Sequence, residues 1–127
     1  MNEAKYSYKN LDVYKESKAL VKMVYDLLRR FPKEEQYALC DQLRRAVISV
    51  PSNIAEGTGR TSSKDQAHFL EIAFGSLMEV DCQLDIANEL GYMSDEELQT
   101  ANAQISRVAA LLSGMRRKRL TPNPITR

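Results

Sequence analysis

Residues 42–60 read QLRRAVISVPSNIAEGTGR, a strong helical pattern with a proline inside it. Cys40, Leu43, Val47, Val50, Ile54 and Gly57 recur at alternating three- and four-residue spacing, which lines one face of an α-helix with apolar or small groups. Pro51 removes a backbone donor and crowds the carbonyl of Val47, at a cost of roughly 3 kcal/mol in a helix interior. The reading is a helix that runs through Pro51 with a kink, Ser49 or Asn53 helping to satisfy the freed backbone groups. A polar seam, Gln42, Arg45, Ser49, Asn53, Glu56 and Arg60, runs beside the apolar one. Arg45, Asn53 and Glu56 are expected to join Ser76 and Glu79 of the next helix in a largely buried polar network.

Working outward, Asn10 reads as an N-cap with Asp12 in the first turn. Val13, Ser17, Leu20, Val24, Leu27 and Phe31 form the core seam of a first helix, widened by Tyr14, Val21, Tyr25 and Leu28. Pro32 stops that helix and is expected to open the second, with Glu34 and Glu35 at its positive end. Gly57-Thr58-Gly59 closes the second helix, and Ser62 with Asp65 reads as a capping box for the third. Phe69, Ile72, Ala73, Leu77, Val80, Leu84 and Ala87 are its expected seam, with Gly91 at the C′ position. Ser94 and Glu97 form another capping box, and Leu98, Ala101, Ile105, Val108, Leu112 and Met115 carry the fourth helix until it frays into Arg116, Arg117, Lys118 and Arg119.

These signals predict an all-α protein, an antiparallel up-down-up-down four-helix bundle. Its expected limits are a polar N-terminal arm at residues 1–9, one domain at 10–119 and a disordered tail at 120–127. No apolar run reaches the roughly 18 residues of a membrane span, and MNEAKYSYKN lacks a signal-peptide core, so a cytoplasmic protein without membrane contact is expected.

The same residues carry a family likeness. Leu11 and Tyr14, Phe31-Pro32 with Glu35 and Tyr37, and Gln42-Leu43-Arg44-Arg45-Ala46 contribute to it. Its most specific parts are Val50-Pro51-Ser52-Asn53-Ile54-Ala55-Glu56-Gly57, then Phe69-Leu70, Ile72-Ala73, Gly75-Ser76, Glu79 and Leu90-Gly91-Tyr92. Over roughly residues 8 to 115 the sequence resembles the four-helix-bundle proteins encoded in intervening sequences of bacterial 23S ribosomal RNA genes. More distantly it is similar to the accessory variability proteins of diversity-generating retroelements. The resemblance implies a five-membered ring of bundles and a suspected nucleic-acid-binding role. It implies nothing for the basic run and the tail, which lie outside the matching pattern.

Enzyme chemistry finds little footing. His68 is the only histidine and no CxxC pair exists, so neither metal nor cofactor is expected; Cys40 and Cys82 read as small apolar residues. GTGRTSSK lacks the GxxxxGK[ST] spacing of a phosphate loop, and a glycine C-cap followed by a serine N-cap accounts for it. Glu56 and Glu79 as paired acids are outweighed by an ion pair of either with Arg45.

Charge is segregated although the net charge is only +1. Every formal charge from Asp65 through Glu97 is negative. An acidic flank and a basic flank suit head-to-tail contact between copies, hence a homo-oligomeric ring. Lys5, Lys9, Arg60, Lys64, Arg116, Arg117, Lys118 and Arg119 gather at one end of such a bundle. The expectation is a non-enzymatic homo-oligomer, a pentamer by resemblance, that binds RNA or DNA through this basic rim largely independently of sequence. The alternative is a scaffold that binds another protein and no nucleic acid.

Overall fold

The computed structural model describes residues 6–121. Among these residues all regular structure is helical: α1 (Asp12–Leu28), α2 (Leu39–Thr58), α3 (Ser63–Glu89) and α4 (Asp95–Leu120), with 3-10 turns at Ser7–Asn10 and Lys33–Glu35. Helix α1 packs on α2 and α4, and α3 packs on the same two, so the four enclose one core. Leu20, Leu28, Leu43, Ile54, Leu70, Leu77, Leu84 and Leu112 are its largest fully buried side chains. Each removes apolar surface worth about 1.5–3 kcal/mol from water, which is what holds helices that carry few other ties.

The central seams expected of α1 and α2 are buried, Gly57 included, while Tyr14, Val21 and Tyr25 beside the first are half-buried. A Cβ on Gly57 would lie 3.1 Å from the Cβ of Phe69 and 3.3 Å from the carbonyl oxygen of Gln66, so glycine here lets α2 and α3 meet backbone to backbone. Farther along the same pair of helices, Ser49 meets Ser76 at 2.8 Å and Gln42 meets Gln83 at 3.2 Å. Helix α2 is continuous through a buried Pro51. The Asn53 amide donates to the carbonyl of Ser49 at 2.8 Å, not to that of Val47, the group the proline leaves without its donor.

Four local readings are corrected. Asn10 does not cap α1: it closes the 3-10 turn, and Leu11 occupies the N-cap without a side-chain bond. Apolar anchoring takes the place of a polar cap there, since Leu11 packs on the core and the Tyr8 ring meets Tyr14 edge-on at 4.9 Å. Pro32 does not open α2, which begins at Leu39. Gln36 instead turns back to donate to the carbonyls of Leu28 and Phe31 at 3.0 and 3.2 Å, and Arg44 holds the Gln36 carbonyl at 2.7 Å. In α3 the core seam runs through Leu70, while Phe69 is half-buried and Ile72 is 38% exposed. Helix α4 does not fray at its basic run; it continues to Leu120, and the Thr121 hydroxyl donates to the carbonyl of Arg117 at 2.7 Å.

The caps of α3 and α4 follow their sequence signals. Gly91 adopts φ +82°, and the amide N–H groups of Gly91 and Tyr92 bond the carbonyls of Asn88 and Ala87, the paired pattern of a Schellman motif. Ser94 and Glu97 exchange both bonds of a capping box. Ser62 accepts from the amide of Asp65 at 3.1 Å, one half of such a box; the aspartate side chain is a methylene shorter than the glutamate that completes the α4 cap. Among the described residues no helix is long and apolar enough to cross a membrane.

Candidate nucleic-acid interface

One glutamine ties together the chain segments that carry most of the expected basic residues. Gln66, in the first turns of α3, donates to the backbone carbonyl of Arg60 at 2.9 Å and accepts from the Nε of Arg119 at 3.1 Å. A single side chain thereby links the end of α2, the start of α3 and the last turns of α4. Arg60 lies over the Phe69 ring at 4.5 Å and pairs with Glu56 at 2.6 Å. Arg116 reaches Glu71 at 3.4 Å.

The expected cluster therefore divides. Arg60, Arg116 and Arg119 are partly committed to neighbours, whereas Lys9, Lys64, Arg117 and Lys118 are exposed. These four have no ion pair among the described residues. Lys9 sits in the 3-10 turn that packs on α1 and α2. Lys5 lies outside the described residues, as do residues 122–127 of the expected tail. The carbonyls at the C-terminus of α4 carry partial negative charge, which the last-turn basic residues offset by only about 0.3–1 kcal/mol.

The expected polar network between α2 and α3 is smaller than the sequence suggests. Asn53 donates to the Ser49 hydroxyl at 2.9 Å, and Ser49 bonds Ser76 at 2.8 Å, so these two network members are joined through a serine not counted among them. Arg45, Glu56 and Glu79 are exposed and lie outside this group. Glu56 turns to Arg60, one helical turn on, and Glu79 accepts from Gln83 at 3.1 Å. Charged groups at the outer edge of a helix pair reach water more cheaply than they reach a buried partner, which is why the residues of one face do not all turn inward.

A second polar clasp gives no sequence signal. The buried amide of Gln104 in α4 donates to the backbone and side chain of Glu16 in α1 at 2.8 and 2.9 Å, and Arg107 donates to the Gln104 carbonyl oxygen at 2.7 Å. At the remaining loops the Tyr92 hydroxyl donates to Glu35 at 2.8 Å, and Arg30 bonds Glu97. The bond to Glu35 favours the protonated phenol and pushes the Tyr92 pKa up. The Ser94 amide, followed by Arg30, holds the Glu97 carboxyl below its ordinary value. Burial raises the Cys40 thiol. Among the described residues no group of three or more His, Cys, Asp and Glu side chains is placed to hold a metal ion.

Residues 9–114 match the 23S rRNA-intervening sequence protein family. The chain belongs to that family. A solved structure with the same fold is a protein of unknown function from the S23 ribosomal protein family of Bacteroides thetaiotaomicron, 20% identical over 81% of this chain and 96% of that one, with a TM-score of 0.75. No curated protein matches. The family match ends at residue 114, so Arg116, Arg117, Lys118 and Arg119 belong to a part of this chain that the family pattern does not cover.

Proposed function

We propose that this chain is a non-enzymatic cytoplasmic protein whose helices run up-down-up-down, that it assembles as a closed homo-oligomer, a pentamer, and that it binds RNA or DNA phosphate through its basic junction. The observation that carries the reading is the Gln66 clasp, which ties together the chain segments that carry Lys64, Arg117 and Lys118, all three exposed and without an ion pair among the described residues. Backbone charge on a nucleic acid is the natural complement of such a surface, and contacts of this kind give affinity with little sequence information.

Self-association draws support from the outer face of α3. Ile72, Gly75, Glu79, Cys82 and Ile86 recur at helical spacing and are exposed. A Cβ on Gly75 would meet nothing within 4 Å, so no packing within the described chain asks for glycine at a position where it weakens a helix by about 1 kcal/mol relative to alanine. Close approach of a second copy gives that glycine a purpose, and repetition of the basic surface around a ring would add weak phosphate contacts together.

A scaffold that binds protein alone is the second reading. It is favoured by the share of the arginines already spent on Glu56, Glu71 and Gln66. Mobility shift with RNA and DNA over a salt series separates the two. Replacing Lys64, Arg117 and Lys118 by Gln in an oligomer of unchanged mass should weaken binding and lower the salt slope by about 2–3, roughly one for each phosphate no longer neutralised. Unchanged affinity and slope would show these cations to be solubilising surface, and no shift with either nucleic acid would leave the scaffold reading. Light scattering gives the assembly: a monomer at micromolar concentration and physiological salt removes the ring.

A further inference from the structure

Between α3 and α4, beside the Gln66 clasp, lies a groove of about 550 Å³. Leu70, Phe74, Leu112 and Leu120 give it an apolar lining, and Arg116 and Arg117 give it positive charge. That volume falls in the ~300–1,000 Å³ range of small-ligand sites. It suits a compact molecule with a flat apolar body and an anionic end.

The arginines are unevenly used. Arg116 pairs through its terminal nitrogen with Glu71, at the long distance of 3.4 Å, while its Nε is screened from solvent and has no acceptor among the described residues. Arg117 has no ion pair among the described residues. A donor shut off from water without an acceptor is uncommon in folded proteins, and a turn of the partly exposed Arg116 side chain would bring it to a ligand oxygen. Glu71, also in the lining, opposes an anion placed close to it. The anionic end is therefore expected nearer Arg117 and the Arg116 Nε than the Glu71 carboxylate.

We propose that this groove takes one unstacked nucleotide of a single-stranded nucleic acid, its phosphate on Arg116 and Arg117 and its base against Phe74 and Leu120, over a floor backed by Leu70 and Leu112. The inference rests on the nucleic-acid reading above and adds strandedness to it. Base faces are apolar and π-rich, so an aromatic and aliphatic lining accepts any of them. A base within a duplex is already stacked and paired, and cannot enter without the cost of extrusion. The rim alone would treat single and double strands by charge density; the groove makes the protein prefer the single strand.

The test compares a single strand of about 12 nucleotides with its duplex by fluorescence anisotropy, in the full chain, with a parallel titration of adenosine monophosphate followed by NMR. The expected result is single-strand binding about tenfold tighter than duplex, saturable monophosphate binding and a shift of the Arg116 Nε–H signal. Ser113→Phe, at an exposed position of the groove lining, should abolish the preference and leave salt-dependent duplex binding in place. Phe74→Leu, which keeps the lining apolar, should weaken single strand more than duplex. Equal affinity for both strands, unmoved by Ser113→Phe, would overturn insertion while the rim survives. Monophosphate binding without polymer binding would keep the groove as a nucleotide site and remove the rim. Saturation by octanoate but not by the monophosphate would make this a site for amphipathic carboxylates and overturn the proposal. Binding of none of these probes would remove both readings.

Discussion

The loops on either side of α2 are built differently. Between α1 and α2, a set of side chains spends its bonding capacity on the fold, while Lys33, Glu34 and Tyr37 stand exposed beside it: Gln36 closes the carbonyls of Leu28 and Phe31, Arg44 fixes Gln36, Tyr92 reaches across to Glu35, and Arg30 reaches Glu97. Phe31 lies buried among them, its ring 5.6 Å from that of Tyr92. Between α2 and α3 the fold is served by Gln66 and a short turn, and cations stand exposed around it. Groups already satisfied by their own chain have little to offer a partner. The contrast marks the first junction as a fastening and the second as a surface kept available.

Phe31→Ala tests the fastening most severely. Loss of a buried phenylalanine side chain should cost about 3–5 kcal/mol, read as a fall in the urea midpoint while nucleic-acid affinity of the folded protein holds. A loss below about 1 kcal/mol would mean that the junction closes around the gap and is not a fixed fastening. Gln36→Ala comes next. It leaves the Phe31 carbonyl without its donor and takes one of two donors from that of Leu28, which keeps the Phe31 N–H, and should cost about 1–3 kcal/mol, with faster amide exchange confined to residues 28–36. Global loss with uniform exchange would place the role of Gln36 in the core instead.

Much of this architecture is legible in the sequence for a physical reason. Apolar periodicity reports burial directly, and the seams of α1 and α2 and the glycine and serine caps around α3 and α4 follow it. Pro32 misleads because proline suits a first helical turn, while Gln36, eight residues past Leu28, competes by closing the preceding helix from outside. Ile72 misleads because an exposed isoleucine and a core isoleucine look alike in one sequence; only the position of α3 against its neighbours separates them. The same ambiguity affects the candidate site. The basic residues can be counted from the sequence, but which of them are consumed by Glu56, Glu71 and Gln66 depends on how the helices meet, and the Gln104 clasp on Glu16 joins residues far apart in the chain.

Strong acid should loosen the fastening. The folded-state pKa of Glu97 is depressed by the Ser94 amide and then by Arg30. Its contribution is therefore complete above the ordinary carboxylate pKa of about 4.3 and is lost as pH falls through the lower folded value. Melting temperatures of the wild type and Glu97→Gln should differ at neutral pH and converge as the medium is acidified. A difference that stays constant down to about pH 2 would show that charge on Glu97 does not fasten this loop.

The finest comparison lies within the basic run itself. Arg119 is half-buried and bonded to Gln66, whereas its neighbour Arg117, two positions earlier, is exposed and has no ion pair among the described residues. Both sit in the last turns of α4, so their interaction with the helix dipole is similar and largely cancels between them. Arg119→Ala should then cost about 0.5–1.5 kcal/mol, the worth of one hydrogen bond together with its packed stem, while Arg117→Ala stays within about 0.5 kcal/mol of wild type. Matched urea titrations give the stability difference, and nucleic-acid titrations of the same two proteins should give the reverse order, Arg117→Ala losing more affinity. If Arg117→Ala is the more destabilising, the exposed cations belong to the fold after all, and the distinction between a fastened junction and an available one disappears.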